Sequence, residues 1–158
     1  MQIITYDKQY HQQAVDLVLQ IQNEENNLNL TLAEQPELQN IEDSFLSSGG
    51  NFWLALDKGI VVGTIGLLKE TTTGAVLKKF FVAAPYRRHK VGLLLYNTLL
   101  KFCREHNIKQ IVLDTPSIAV RSHQFYKQAG FVQITAEKLP FPYTYPDRHS
   151  LLFMFTLS

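Results

Sequence analysis

The sequence predicts a single α/β domain over residues 1–158, with one mixed, mostly antiparallel sheet flanked by helices. Three observations carry this reading. Two β-rich runs, 51–56 and 60–68, are joined by Asp57-Lys58-Gly59, whose glycine supplies the positive φ of a tight hairpin. From Val91 onward, Leu95, Tyr96, Leu99, Phe102 and Cys103 recur at three- and four-residue intervals, which is helical spacing. The segments follow in the order β-α-α-β-β-β-α-β-α-β-β, without the regular alternation of a doubly wound sheet.

Taken in order, residues 2–6 read as a short strand, and 10–22 place Ala14, Val15, Val18, Leu19 and Ile21 at largely helical spacing. Asn23-Glu24-Glu25-Asn26-Asn27 predicts a connecting loop, because asparagine side chains compete for backbone hydrogen bonds. Pro36 suits the first turn of a second helix, with Leu38, Ile41 and Phe45 on one face and Ser47-Ser48-Gly49-Gly50 ending it. After the hairpin, the turn Thr71-Thr72-Thr73-Gly74 leads into a third meander strand, 75–82, and Pro85 breaks the pattern. Ile111-Val112-Leu113 is a buried strand. Ala119, Ser122, Phe125, Tyr126 and Ala129 then share a helix face that Gly130 stops. The last strands, 131–136 and 151–156, flank the excursion Leu139-Pro140-Phe141-Pro142-Tyr143-Thr144-Tyr145-Pro146.

Composition sets the outer limits. A chain of 158 residues that is 46% hydrophobic and 11% aromatic supplies the core of one domain and is not a disordered polymer. Fifteen Lys and Arg against fourteen Asp and Glu leave +1, so no overall field attracts polyanions, and nucleic acid is not an expected partner. Cys103 is the only cysteine, which rules out an internal disulfide, and no Cys/His cluster has metal-ligand spacing. No apolar run reaches the roughly 18 residues of a membrane span, and the N-terminus lacks a basic region followed by an apolar stretch. A soluble cytoplasmic protein is expected, with no membrane partner. The oligomeric state stays open, a homodimer included.

Chemistry concentrates in Phe80-Phe81-Val82-Ala83-Ala84-Pro85-Tyr86-Arg87-Arg88-His89-Lys90-Val91-Gly92, where a strand runs through a basic loop into a helix N-terminus. Helix N-termini present unpaired N–H groups and partial positive charge. Arg87, Arg88 and Lys90 add full cations, and Gly92 permits close backbone approach, so a phosphate suits this corner. Alone, the loop reads equally well as a solvated basic surface. Further along stands Ser122-His123-Gln124-Phe125-Tyr126-Lys127-Gln128-Ala129-Gly130-Phe131, an aromatic pair in a helix ending in Gly-Phe. Together the two segments resemble the signatures of the GNAT superfamily of N-acetyltransferases. The family's coenzyme A pattern is Arg or Gln, two residues, Gly, one residue, Gly or Ala. Here it reads Arg87, Arg88-His89, Lys90, Val91, Gly92, with Lys90 in the place of the first glycine. Glycine serves close approach or positive φ there, whereas lysine adds bulk and charge.

The resemblance implies transfer of an acetyl group from acetyl-coenzyme A, without a metal, to a primary amine of a small molecule or amino acid. The amine would attack directly in a ternary complex. It implies that Phe80, Phe81 and Val82 line the pantetheine arm, that Arg87, Arg88, His89, Lys90, Val91, Gly92 and Leu93 surround the phosphates, and that Phe125 borders the cofactor. Tyr126 falls on the family's general-acid tyrosine, although a buried aromatic on this helix face would look the same. A backbone N–H near Val82 would meet the oxyanion, and Ala119 stands where many relatives carry a cofactor-contacting asparagine. The base is not singled out. Glu24, Glu25, Asp114 and His123 are candidates beside plainer roles as solvated charges, a capping residue and a surface helix residue, and a water relay would spare them all. Trp53, Tyr143 and Tyr145 suit an acceptor entrance or simple core or lid packing. Cys103, on the apolar helix face, reads as packing. Lys90 and the missing base motivate one alternative, a non-catalytic acyl-coenzyme A-binding regulatory module.

Overall fold

The computed structural model describes residues 1–146 and 149–158, and within them the predicted order of strands and helices is found. It runs β1 (Gln2–Thr5), α1 (His11–Gln20), α2 (Pro36–Gln39), β2 (Asn51–Asp57), β3 (Ile60–Lys69) and β4 (Gly74–Val82). Then come α3 (Val91–Glu105), β5 (Gln110–Pro116), α4 (Val120–Gln128), β6 (Val132–Ile134) and β7 (Ser150–Thr156). The seven strands form one sheet in the order β1-β2-β3-β4-β5-β7-β6. Only the β4–β5 neighbours are parallel. The hairpin turn is as the sequence predicts: Lys58 and Gly59 both take positive φ, 51° and 79°, the two-residue geometry that matches strand twist.

Helices cover both faces. On one face α3 and α4 bury Leu95, Leu99, Cys103 and Tyr126 against Ala75, Leu77, Leu113 and Phe153. On the other, α1 and the α2 region bury Ala14, Val18, Leu38 and Phe45 against Phe52, Leu54 and Val61. The proline-rich excursion extends this second layer, seating Phe141 over Val76 and Val112. Gly74 makes that seat: a Cβ there would fall 2.5 Å from the Phe141 ring. No helix among the described residues is long and apolar enough to cross a membrane.

Three local expectations are corrected. Residues 23–27 are not simply a loop, because the helix runs on through Ile21–Glu25 in a widened turn. The reason is that Asn23 does not turn on its own backbone. Its side chain donates to the carbonyl of Leu30 at 2.7 Å and accepts from the Leu30 N–H at 2.6 Å. The second helix breaks at Asn40 (φ −125°, ψ 61°) and resumes as a widened turn, Glu42–Leu46, yet Leu38, Ile41 and Phe45 share the predicted buried side. The strand expected over 131–136 shrinks to β6, since a short helical turn, Ala136–Lys138, starts the excursion early.

One irregularity positions the site. β4 carries a bulge against β3, with Thr64 opposite Phe81 but Gly66 opposite Lys78. Lys79 takes φ 56° there, and its carbonyl accepts the hydroxyl of buried Thr64 at 2.6 Å. An extra residue reverses side-chain alternation. Ala75 and Leu77 face α3, and beyond the bulge Phe80 and Val82 pack on that side while Phe81 joins the opposite layer.

Candidate active site

The parallel strands β4 and β5 pair only at Gly74–Gln110, Ala75–Ile111 and Val76–Val112. β5 stays paired with β7 as far as Pro116–Ser150, so a gap opens between β4 and β5 toward their C-terminal ends. Ligands of such sheets bind outside the carboxyl ends of parallel strands, where neighbours separate. The Ala83 N–H donates to the Val62 carbonyl at 2.8 Å, which makes Val82–Gly63 a non-hydrogen-bonded pair. The N–H and C=O of Val82 therefore point away from β3 into the gap. Arg87 confirms the carbonyl's direction by donating to it through Nε at 2.9 Å.

Two cavities meet at this gap. The smaller, about 180 Å³, lies under the chain joining α1 to α2 and is lined by Lys78, Asp114 and Thr115, among others. The larger, about 350 Å³, is lined by Val82, Arg87, Arg88, Arg121 and Phe125. Asn26, Phe80, Phe81, Ser122 and Tyr126 border both. The Tyr126 ring is 7% exposed and packs against Phe131 at 5.5 Å, Phe153 at 6.2 Å and Phe80 at 6.3 Å. Burial, aided by the negative charge of Asp114, raises its hydroxyl above the ordinary phenol pKa. At neutral pH that hydroxyl holds its proton, as a proton donor must.

The basic corner leaves a helix N-terminus open. Lys90 is the N-cap of α3 and provides no side-chain cap, so the first-turn N–H groups are left to an outside acceptor. Its φ is 61°, the left-handed region that explains why a glycine suits this place. A Cβ on Gly92 would lie 3.6 Å from Phe80 and 3.7 Å from Val82, ordinary contacts, so alanine would also fit. Arg87 is drawn in by Glu25 at 2.5 Å. Arg88, His89 and Lys90 are exposed, Leu93 is exposed, and the Val91 side chain turns into the core. A left-handed lysine is strained by about 1 kcal/mol or more, and glycine relieves this at a smaller cost in unfolded-chain entropy. Lys90→Gly and Lys90→Ala remove the same charge, but urea unfolding should find the glycine variant more stable by about 1 kcal/mol.

Other expected residues divide. Asp114 lines the smaller cavity and accepts the Tyr143 hydroxyl at 3.3 Å. Burial, then the Asp114 charge, raises the Tyr143 pKa. Tyr145 packs on Tyr143 with ring centroids 5.3 Å apart and the planes tilted by 46°, and neither ring lines either cavity. Of its two readings Trp53 takes core packing: it is 4% exposed, edge-on to Phe102. His123 is corrected on both readings, being neither at the cleft nor on the surface. It is 8% exposed, with Nε2 2.9 Å from the Pro116 carbonyl. Glu24 is exposed and lines neither cavity, while Glu25 is committed to Arg87. Cys103 is fully buried as expected, its thiol pushed up to about 12 by burial. Ala119 lines the smaller cavity.

Sequence reasoning missed a polar wall. Gln22 and Gln35, both 4% exposed, exchange amide hydrogen bonds of 2.8 and 3.0 Å. Lys79 reaches from the bulge to Gln35 at 2.5 Å and to Glu37 at 3.1 Å. Burial alone would raise the Glu37 carboxyl, but the Lys79 and Lys78 charges and the hydrogen bonds to the carboxylate together outweigh it and hold the group below its ordinary value. Arg121 was also missed, since it looks like any exposed helix arginine until α4 is laid beside the basic loop. No local pattern announces contacts between residues this far apart in the chain.

A model of the family described as "Acetyltransferase (GNAT) family" matches residues 15–131. The chain is 31% identical over 107 residues to the probable N-acetyltransferase camello of Xenopus tropicalis, covering 66% of this chain and 49% of that protein. It is 32% identical over 101 residues to N-acetyltransferase 8 of Homo sapiens, covering 60% and 44%. The chain thus spans about half the length of these curated relatives. Among solved structures, an acetyltransferase from Streptococcus agalactiae 2603 matches with a TM-score of 0.94 at 39% identity, covering 99% of this chain and 98% of that one. A GNAT-family acetyltransferase from Staphylococcus aureus MU50 matches with a TM-score of 0.95 at 35% identity, covering 99% of each.

Proposed function

Because the chain belongs to the acetyltransferase (GNAT) family, we propose that it moves an acetyl group from acetyl-coenzyme A to the primary amine of a small molecule or amino acid. The observation that carries this reading is the gap between β4 and β5, with Tyr126 where two cavities meet. The residues present fit coenzyme A. An uncapped helix N-terminus and the exposed Arg88 and Arg121 suit its phosphates, with Arg87 held beside them by Glu25 and the Val82 carbonyl, and the larger cavity leads along Phe80, Phe81 and Val82 to Tyr126.

Acetyl-coenzyme A supplies a thioester carbon open to attack. The chain's own groups handle charge and protons around it. The Val82 N–H, aimed into the gap, donates to the acetyl oxygen as negative charge gathers there. Asp114, the candidate base that lines the acceptor cavity, takes the amine proton directly or through water. Tyr126 gives its proton to the departing sulfur. A C–N bond forms as the C–S bond breaks, and the products are an amide and a thiol. Cys103 is buried, holds its proton and lines neither cavity, which supports direct attack over a covalent carrier.

The test is thiol release with acetyl-coenzyme A and an amine panel, followed by initial rates with both substrates varied. Intersecting double-reciprocal lines are expected, and parallel lines would remove the ternary complex. Calorimetric binding of coenzyme A with no acetylated amine would favour the regulatory module instead.

A further inference from the structure

Val76–Val112 is the last pair before β4 and β5 separate. Two residues further along each strand stand Lys78 and Asp114, and two-residue alternation puts both on the face shared by Val76 and Val112. A cation and an anion therefore occupy the two lips of the gap at the same level, and both line the smaller cavity. Lys78 comes just before the bulge, so its alternation is undisturbed. Its side chain is half-buried and makes no ion pair within 4 Å among the described residues; its charge reaches the Glu37 carboxylate on the same cavity wall, but the ion pair there is made by Lys79.

Resting on the acetyl-transfer reading, we infer that Lys78 selects acceptors that carry a carboxylate beside the reacting amine, that is, free amino acids with apolar side chains. The ligand's carboxylate meets the Lys78 ammonium on the β4 lip, and its amine lies toward Asp114 and Tyr126. Leu28 and Leu30 form an apolar stretch of the cavity wall against which the side chain rests. A space of about 180 Å³ is on the scale of one such molecule. A simple alkylamine brings no carboxylate to Lys78 and so gains nothing from it. A diamine gains nothing from Lys78, and a second cation turned toward Glu37 would have to compete with the Lys79 ammonium already paired there.

The experiment compares leucine, methionine and phenylalanine with the carboxamide and the decarboxylated amine of each. Thiol release is one readout, and calorimetric binding in the presence of coenzyme A is the other. The free acid should exceed its carboxamide by at least about tenfold in kcat/KM and in affinity. Lys78→Gln should shrink that ratio to near one, Lys78→Arg should keep most of it, and Lys78→Glu should turn preference toward amines with a second positive group. Equal use of acid and carboxamide overturns the inference, as does an unchanged ratio in Lys78→Gln or the absence of both binding and turnover with all three acids. Acids that bind through Lys78 without thiol release would uphold this assignment while removing the acetyltransferase reading.

Discussion

Tyr126→Phe should lower kcat by about a hundredfold to a thousandfold, in the range of a lost general acid, with little change in the affinity for coenzyme A. The substitution removes one oxygen and keeps the ring, so packing against Phe80, Phe131 and Phe153 survives. Thermal unfolding should therefore stay close to that of the parent chain, and a fall in kcat reports chemistry rather than lost structure. The pH profile adds an independent readout. Burial raises the Tyr126 pKa above 10.0, so the protonated donor persists and kcat should not decline through tyrosine ionisation below about pH 10. An unchanged kcat in the phenylalanine variant would falsify the acid assignment and leave the thiolate to depart unaided.

The second large effect concerns the floor under that tyrosine. Phe153 on β7 is fully buried, lies opposite Leu113 of β5, and touches Tyr126 and His123 with its ring. Phe153→Ala should cost about 3–5 kcal/mol, because the lost transfer energy is joined by a cavity that two rigid strands cannot close. For a chain of this length each kcal/mol moves Tm by about 2–4 °C, so a fall of about 6–20 °C is expected. A loss under about 1 kcal/mol in urea unfolding would mean that α4 settles into the space, and that the Tyr126 seat does not depend on this ring.

The elements with local causes were legible in the sequence. Gly130 ends α4 at φ 101°, Lys58-Gly59 turns the hairpin, and the apolar spacing from Val91 to Cys103 becomes the buried side of α3. These signals lie within a few residues of the structure they cause. Asn23 misled because its side chain found a partner seven residues away, and composition alone cannot tell that bond from a local turn. His123 misled for a related reason: its fate depends on the Pro116 carbonyl at the end of the preceding strand.

The site divides along the same line. By itself the sequence determined the basic corner, the aromatic pair in α4 and the order of elements that sets them near one another, since each is a run of adjacent residues with its own preference. Tertiary structure alone decided the bulge at Lys79, which reverses the facing of Phe80 to Val82, and the place where β4 leaves β5. It also decided the Arg87–Glu25 pair and the Gln22–Gln35–Lys79 wall. Strand register and burial are settled by the packing of residues distant in the chain, so the direction of a single N–H or ammonium is fixed only once the whole sheet has formed.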